Sequence, residues 1–122
     1  MRVLVVDDSS FVRQSVKSLV EAASGAEIDE AGDGAEAPRR VVATDYDIII
    51  TDCAMPNMCG KEFVRSYRAN RGKAWVIMLS AEAAKEHVIE AVRAGINDYC
   101  VKPLTAEALA AKLKTWANKR AA

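Results

Sequence analysis

Residues 3–10 read Val3-Leu4-Val5-Val6-Asp7-Asp8-Ser9-Ser10, and this stretch decides the fold. Four apolar residues in an unbroken run describe a strand buried on both faces, because a half-solvated strand would alternate. Two aspartates stop the run. Ser9 or Ser10 can then cap a helix whose apolar residues Val12, Val16, Leu19, Val20 and Ala23 recur at helical spacing. Gly25 lies just past that helix, where a C-terminal cap is expected.

The same unit repeats outward along the chain. Ile28 to Ala31 reads as a short strand, followed by the turn signal Gly32-Asp33-Gly34 and a helix carrying Val41 and Val42. Pro38 sits awkwardly there. Proline suits a first turn and costs about 3 kcal/mol further in, so the helix is expected to start near Pro38 or to be irregular before it. Ile48-Ile49-Ile50-Thr51 is a second buried run ending at Asp52, with Met55-Pro56-Asn57-Met58-Cys59-Gly60 as a loop and Phe63, Val64 and Tyr67 on a third helix. Trp75-Val76-Ile77-Met78-Leu79 ends at Ser80, and Val88, Ile89 and Val92 mark a fourth helix closed by Gly95. Tyr99-Cys100-Val101 ends at Lys102-Pro103, and Leu109, Leu113 and Trp116 stripe the last helix. Five strand–helix units imply an α/β, doubly wound (βα)5 three-layer sandwich: a five-stranded parallel sheet with right-handed crossovers and helices on both faces.

A length of 122 residues suits a single domain over 1–122 with no attached output domain. The 51% hydrophobic and 28% charged content argues against intrinsic disorder. Seventeen basic and 17 acidic residues balance to +0, which argues against direct nucleic-acid binding. No apolar run approaches the ~20 residues of a membrane span, so no membrane insertion is expected. Cys53, Cys59 and Cys100 are odd in number and form no C-x-x-C, which fits a reducing cytoplasm better than a disulfide framework or a zinc ribbon. Cys53 and Cys100 are expected to pack as small apolar groups and Cys59 to lie in a loop. Trp75 and Trp116 are read as packing residues. His87, read as mid-helix among charged neighbours, is expected at the surface without a site role.

In a parallel sheet, ligands bind outside the carboxyl ends of the strands. Asp7 and Asp8, Asp52, Ser80 and Lys102 all fall there. Each residue alone could be a turn former or helix cap; the joint pattern is what carries information. Three carboxylates a few Å apart repel by several kcal/mol at intermediate dielectric, so a cation is needed among them or some must protonate. With only oxygen donors present, Mg²⁺ is the natural ion. A carboxylate beside a divalent ion can act as a nucleophile toward phosphorus, with Lys102 neutralising phosphoryl oxygens and Ser80 hydrogen-bonding one of them.

The sequence resembles a two-component response-regulator receiver domain, and within that family the single-domain chemotaxis regulators. The resemblance rests on Val-Val-Asp-Asp-Ser at 5–9, Ile-Thr-Asp at 50–52, Met-Pro-Asn-Met-Cys-Gly at 55–60, Leu-Ser-Ala-Glu at 79–82 and Tyr-Cys-Val-Lys-Pro at 99–103. It implies a flavodoxin-like sheet of strand order 2-1-3-4-5. It also implies that Asp52 is the phosphoacceptor for a histidine kinase, that Asp8 and Asp52 ligate Mg²⁺ with Asp7 acting through water, and that the Ala54 carbonyl completes the protein ligands. Lys102 would pair with the phosphoryl group, with a cis bond to Pro103. Ser80 and Tyr99 would form the switch, and Ala54 and Glu82 would tune hydrolysis. Lys85, Val88, Tyr99 and Lys112 resemble a partner face, offered to a flagellar motor switch protein or another output protein. A monomer is expected before phosphorylation.

This chain departs from the family pattern at four places. Cys53 stands where a larger apolar or aromatic residue is usual, Ala54 where Asn or Met is common, Cys59 where the loop is usually acidic or polar, and Pro38 is unusual in the second helix. Three other functions compete with this one. A phosphorelay intermediate would use the same site. An Asp-nucleophile phosphatase of haloacid-dehalogenase type would need an acid where Ala54 stands. A flavodoxin-like cofactor binder would need backbone donors where Asp7 and Asp8 stand.

Overall fold

The computed structural model describes residues 1–55 and 59–121 of the chain. Pro56, Asn57 and Met58, the middle of the loop expected after Asp52, lie outside the described residues. The elements alternate throughout: β1 (Arg2–Val6), α1 (Ser10–Ser24), β2 (Glu27–Ala31), α2 (Glu36–Ala43), β3 (Ile48–Asp52), α3 (Gly60–Ala69), β4 (Trp75–Ser80), α4 (Lys85–Ala94), β5 (Asp98–Val101) and α5 (Ala106–Ala121). The strands form one parallel sheet in the order β2-β1-β3-β4-β5.

Alternation along the three central strands fills two cores, one on each face. Val3, Val5, Ile48, Ile50, Ile77 and Leu79 point toward Val16 and Val20 of α1 and Leu109 of α5. Leu4, Val6, Ile49, Val76 and Met78 point the other way, toward Ala37 of α2, Phe63 and Val64 of α3, and Ala91 and Ala94 of α4. Trp75, Trp116 and Cys100 pack as partly buried groups on the first core, and Cys53 is buried in the second. The edge strands differ from the central ones. β2 reads Glu-Ile-Asp-Glu-Ala and is half-buried, and β5 ends exposed at Val101, as strands with one open side allow. Among the described residues no helix is long and apolar enough to cross a membrane.

Local chemistry sets the helix ends. The Ser9 hydroxyl accepts the Val12 amide at the start of α1, and Gly25, at φ 65°, ends that helix in the left-handed conformation that suits glycine. In α2, Pro38 is the third residue, so the helix begins two residues before it. Amides of a first turn have no intrahelical partner, and proline's missing N–H therefore removes nothing. The Asp33 carboxylate accepts the amides of Ala35 and Glu36 instead.

At the β2 side of the sheet the buried Tyr46 hydroxyl donates to Asp29 Oδ2 at 2.6 Å, and Arg2 donates to the same oxygen at 2.9 Å. The tyrosine hydrogen bond, then that of Arg2, holds the Asp29 carboxyl below the ordinary range. Burial, then the bond to Asp29, pushes the Tyr46 hydroxyl up to about 12. A depressed carboxyl stabilises the fold above its unfolded pKa of about 3.9, and that contribution fades as pH falls through the folded value. Tyr46→Phe should therefore cost about 1 kcal/mol at pH 7, less than a fully buried charged hydrogen bond because Asp29 is partly solvated. Urea unfolding should show the difference between the two proteins shrinking from pH 4 toward pH 2. An equal difference at all pH values would mean that the hydroxyl acts through packing alone.

Candidate functional site

Sheet register creates the site. β1 pairs with β3 so that Val6 lies opposite Thr51, and the next residues, Asp7 and Asp52, emerge level at the carboxyl edge. Here the strand order reverses direction: the chain leaves β1 for β2 on one side, then returns to place β3 on the other. Such a reversal opens a crevice between β1 and β3. Asp8 follows one residue later and is exposed. One carboxylate oxygen from each of Asp7, Asp8 and Asp52 lies within 4.8 Å of the others. Across the sheet, Ser80 pairs with Val101, which delivers Lys102 to the same edge. The Lys102–Pro103 peptide bond is cis.

Lys102 Nζ lies 3.0 Å from Asp52 Oδ1 and 3.3 Å from Asp7 Oδ2. Asp52 Oδ1 also accepts the Cys53 amide at 2.8 Å. Asp52 Oδ2 makes no hydrogen bond among the described residues. Asp7 Oδ1 accepts the Ser9 amide at 2.9 Å, so the residue that caps α1 also orients the acid. Burial raises the Asp7 carboxyl; the Ser9 amide opposes this, the charge of Asp52 adds to it, and Lys102 opposes it. Burial works to lower the Lys102 ammonium, yet the hydrogen bond and charge of Asp52, followed by those of Asp7, carry it above its ordinary value.

Three carboxylates and one ammonium, when ionised, leave two uncompensated negative charges. The donors are all hard oxygens. A divalent, oxygen-loving ion of the Mg²⁺ class matches both the charge and the chemistry.

Of the remaining candidates, Ser80, Glu82 and Tyr99 form a second group on the β4–α4 side. Ser80 Oγ accepts the Glu82 amide at 3.1 Å and makes no hydrogen bond to Asp52 or Lys102 among the described residues. The Tyr99 hydroxyl donates to the Glu82 carbonyl at 2.6 Å. Ala54 is exposed in the loop just after Asp52. Lys85 is exposed, Val88 is half-buried, and Lys112 Nζ pairs with Asp98 at 2.8 Å.

His87 is a correction. It is the third residue of α4, in the first turn, and it is half-buried instead of lying free on the surface. Its Nε2 lies 3.2 Å from Cys53 Sγ and 3.3 Å from Ser80 Oγ, and its Nδ1 lies 3.0 Å from Lys61 Nζ. The signal that could have found it is positional. First-turn residues of a helix following a parallel strand sit at the sheet's carboxyl edge, but reading the helix from Val88 hid that position. Lys61, the second residue of α3, was missed for the same reason.

Comparison with known proteins adds family context. The response regulator receiver domain model matches residues 3–114. A chemotaxis protein, CheY-3 of Vibrio cholerae, is 40% identical over 115 residues, covering 93% of this chain and 88% of that protein. The receiver domain of the Francisella response regulator 1452 superposes with a TM-score of 0.89 at 30% identity, covering 98% of each chain. The receiver domain of sensor histidine kinase PA1611 from Pseudomonas aeruginosa, with a magnesium ion coordinated in its active site cleft, superposes with a TM-score of 0.85 at 27% identity, covering 94% of this chain and 95% of that one.

One glycine secures the acid from behind. The buried Gly60 donates its amide to the Cys53 carbonyl at 2.7 Å, and a Cβ there would collide with the Asp52 carbonyl oxygen and approach Cys53 Cα at 3.1 Å. The neighbours are backbone, so they cannot swing aside. Gly60→Ala is expected to destabilise the fold by about 1–3 kcal/mol through overpacking. An unchanged urea midpoint would show that α3 can shift away from β3 without loss.

Proposed function

This chain belongs to the response regulator receiver domain family, and from that membership we propose that it is a phosphorylation-dependent signalling switch with Asp52 as phosphoacceptor. The observation that carries the proposal is the state of the Asp52 carboxylate: Oδ1 is held by Lys102 and the Cys53 amide, while Oδ2 makes no hydrogen bond among the described residues. Oδ2 is the nucleophile. It forms a bond to phosphorus as the phosphorus–nitrogen bond of the kinase's phosphohistidine breaks, and the histidine leaves with the electron pair.

Asp8 and Asp52 would hold Mg²⁺ directly, Asp7 would hold it through water, and the main-chain carbonyl of Ala54 would complete the protein ligands. A bound Mg²⁺ supplies neutralisation of charge on the phosphoryl oxygens. The Pseudomonas receiver domain with a magnesium ion in its active site cleft supports the choice of ion. Lys102, already fixed between two carboxylates, balances a further oxygen, and Ser80 donates to another once it turns toward Asp52. Ala54 places no polar group beside the phosphoryl, whereas Glu82 places a carboxylate on the next loop; both set how readily water hydrolyses the aspartyl phosphate.

The upstream partner is a histidine kinase, and chemotaxis is the pathway class supported by the Vibrio relative. The output partner docks on α4, β5 and α5, which carry Lys85, Val88, Tyr99 and Lys112 together with the exposed apolar residues Ile89, Val92 and Val101. An amphipathic helix from a flagellar motor switch protein fits this chemistry. The protein acts in the cytoplasm as a monomer until phosphorylated, and its only catalysis is on its own Asp52.

The test uses a radiolabelled small phosphodonor such as acetyl phosphate. The chain should take up label only with Mg²⁺ present, and Asp52→Asn should reduce labelling to background. Label that survives Asp52→Asn, or that forms equally well in a chelator, would place the nucleophile elsewhere.

A further inference from the structure

His87 stands between the two halves of the site, and its neighbours constrain its chemistry. Lys61 Nζ lies 3.0 Å from His87 Nδ1 and 2.8 Å from Glu90 Oε2. Glu82 Oε2 lies 3.6 Å from the same Nδ1, beyond hydrogen-bond reach, whereas an ammonium at 3.0 Å has only hydrogens to offer, so Nδ1 accepts and the ring proton of the neutral imidazole sits on Nε2. That N–H is shared between Ser80 Oγ at 3.3 Å and Cys53 Sγ at 3.2 Å. The same ring stands edge-on to Tyr99, with centroids 6.3 Å apart and planes at 83°.

Ser80 Oγ is therefore held from one side only. It accepts from the His87 ring and from the Glu82 amide, both on the α4 side, and bonds neither Asp52 nor Lys102 among the described residues. Tyr99 is tied to the carbonyl of the same Glu82. The small side chain of Cys53 leaves room for the ring to reach this position, and burial raises the Cys53 thiol, which keeps it a neutral acceptor.

We propose that His87 is a positioning residue that latches the unphosphorylated state, holding Ser80 toward α4 and away from Asp52. The latch rests on Asp52 being the phosphoacceptor. For Ser80 to donate to a phosphoryl oxygen it must leave the imidazole, so the hydrogen bond to His87 opposes the active arrangement. Lys61 serves the latch by fixing the tautomer, and Glu90 serves it by holding Lys61.

Two substitutions separate a latch from simple packing. His87→Leu keeps much of the volume but cannot donate to Ser80. His87→Gln places an amide N–H near the position of Nε2 and can. Releasing one hydrogen bond shifts an equilibrium by about fivefold. His87→Leu should accept label from acetyl phosphate about fivefold faster than the unaltered chain, His87→Gln should match the unaltered chain, and the gain should vanish when Ser80 is also replaced by Ala. Amide hydrogen exchange in the unphosphorylated protein gives a second readout: the Glu82 N–H, which Ser80 Oγ accepts, should exchange about fivefold faster in His87→Leu and not in His87→Gln. Labelling in His87→Leu that is unchanged or slower, a gain that persists without Ser80, or Glu82 exchange that is equal in all forms would overturn the latch. If the unaltered chain takes no label, the phosphoacceptor reading fails, while the exchange measurement still decides whether His87 holds Ser80.

Discussion

Mutual repulsion among three carboxylates is the constraint around which the rest of the molecule is arranged. Asp7 and Asp52 are buried at the carboxyl edge of a sheet whose central strands are otherwise apolar. Two like charges this close cost several kcal/mol, a large share of a marginal stability, unless one of them protonates or a cation joins them. Lys102 relieves part of it by lying against both, at 3.3 and 3.0 Å. It does not relieve all of it, and the remaining negative charge is what suits the edge to the proposed cation. Structural elements elsewhere serve this arrangement: register sets Asp7 and Asp52 level, Ser9 orients Asp7, and Gly60 allows α3 to rest directly on the Asp52 backbone.

Much of this was legible in the sequence, and the reason is physical. Val3–Val6, Ile48–Thr51 and Trp75–Leu79 are apolar without alternation, and only strands buried on both faces read that way. Once they are recognised, the residues ending them must lie on one edge, which gathers Asp7, Asp8, Asp52 and Ser80 without any tertiary information, and the shorter run Tyr99–Val101 adds Lys102. Strand order was not legible from periodicity; it came with the family resemblance. What escaped was set by side chains reaching across elements. His87 and Lys61 begin helices that face the site, and nothing in their own sequence neighbourhoods distinguishes them from solvated charges. Their partners lie in other segments: His87 meets Cys53 and Ser80, and Lys61 meets His87 and Glu90. Pro38 proved harmless because helix α2 begins two residues before it, where amides are already unpartnered.

In the proposed switch, Ser80, Glu82, His87 and Tyr99 would connect the acid cluster to the face made by α4, β5 and α5 through the contacts they share. Moving such a two-state element from 1:99 to 99:1 takes about 5.5 kcal/mol of differential interaction. New charge-assisted hydrogen bonds from Ser80 and Lys102 to a phosphoryl group supply energies of this size. They must first overcome the contacts that hold the resting arrangement: the Ser80–His87 bond, the Glu82 amide on Ser80, and the Tyr99 hydroxyl on the Glu82 carbonyl. A small number of hydrogen bonds on each side keeps the two states within reach of one another.

The account stands on the acids of β1 and β3 holding a divalent cation in common. Crystals grown or soaked with Mn²⁺, whose anomalous scattering identifies it, test this directly. One peak is expected at the carboxyl edge, about 2.0–2.3 Å from oxygens of both Asp8 and Asp52. A map with no peak there at saturating Mn²⁺, or with the ion bound away from Asp52, would contradict it.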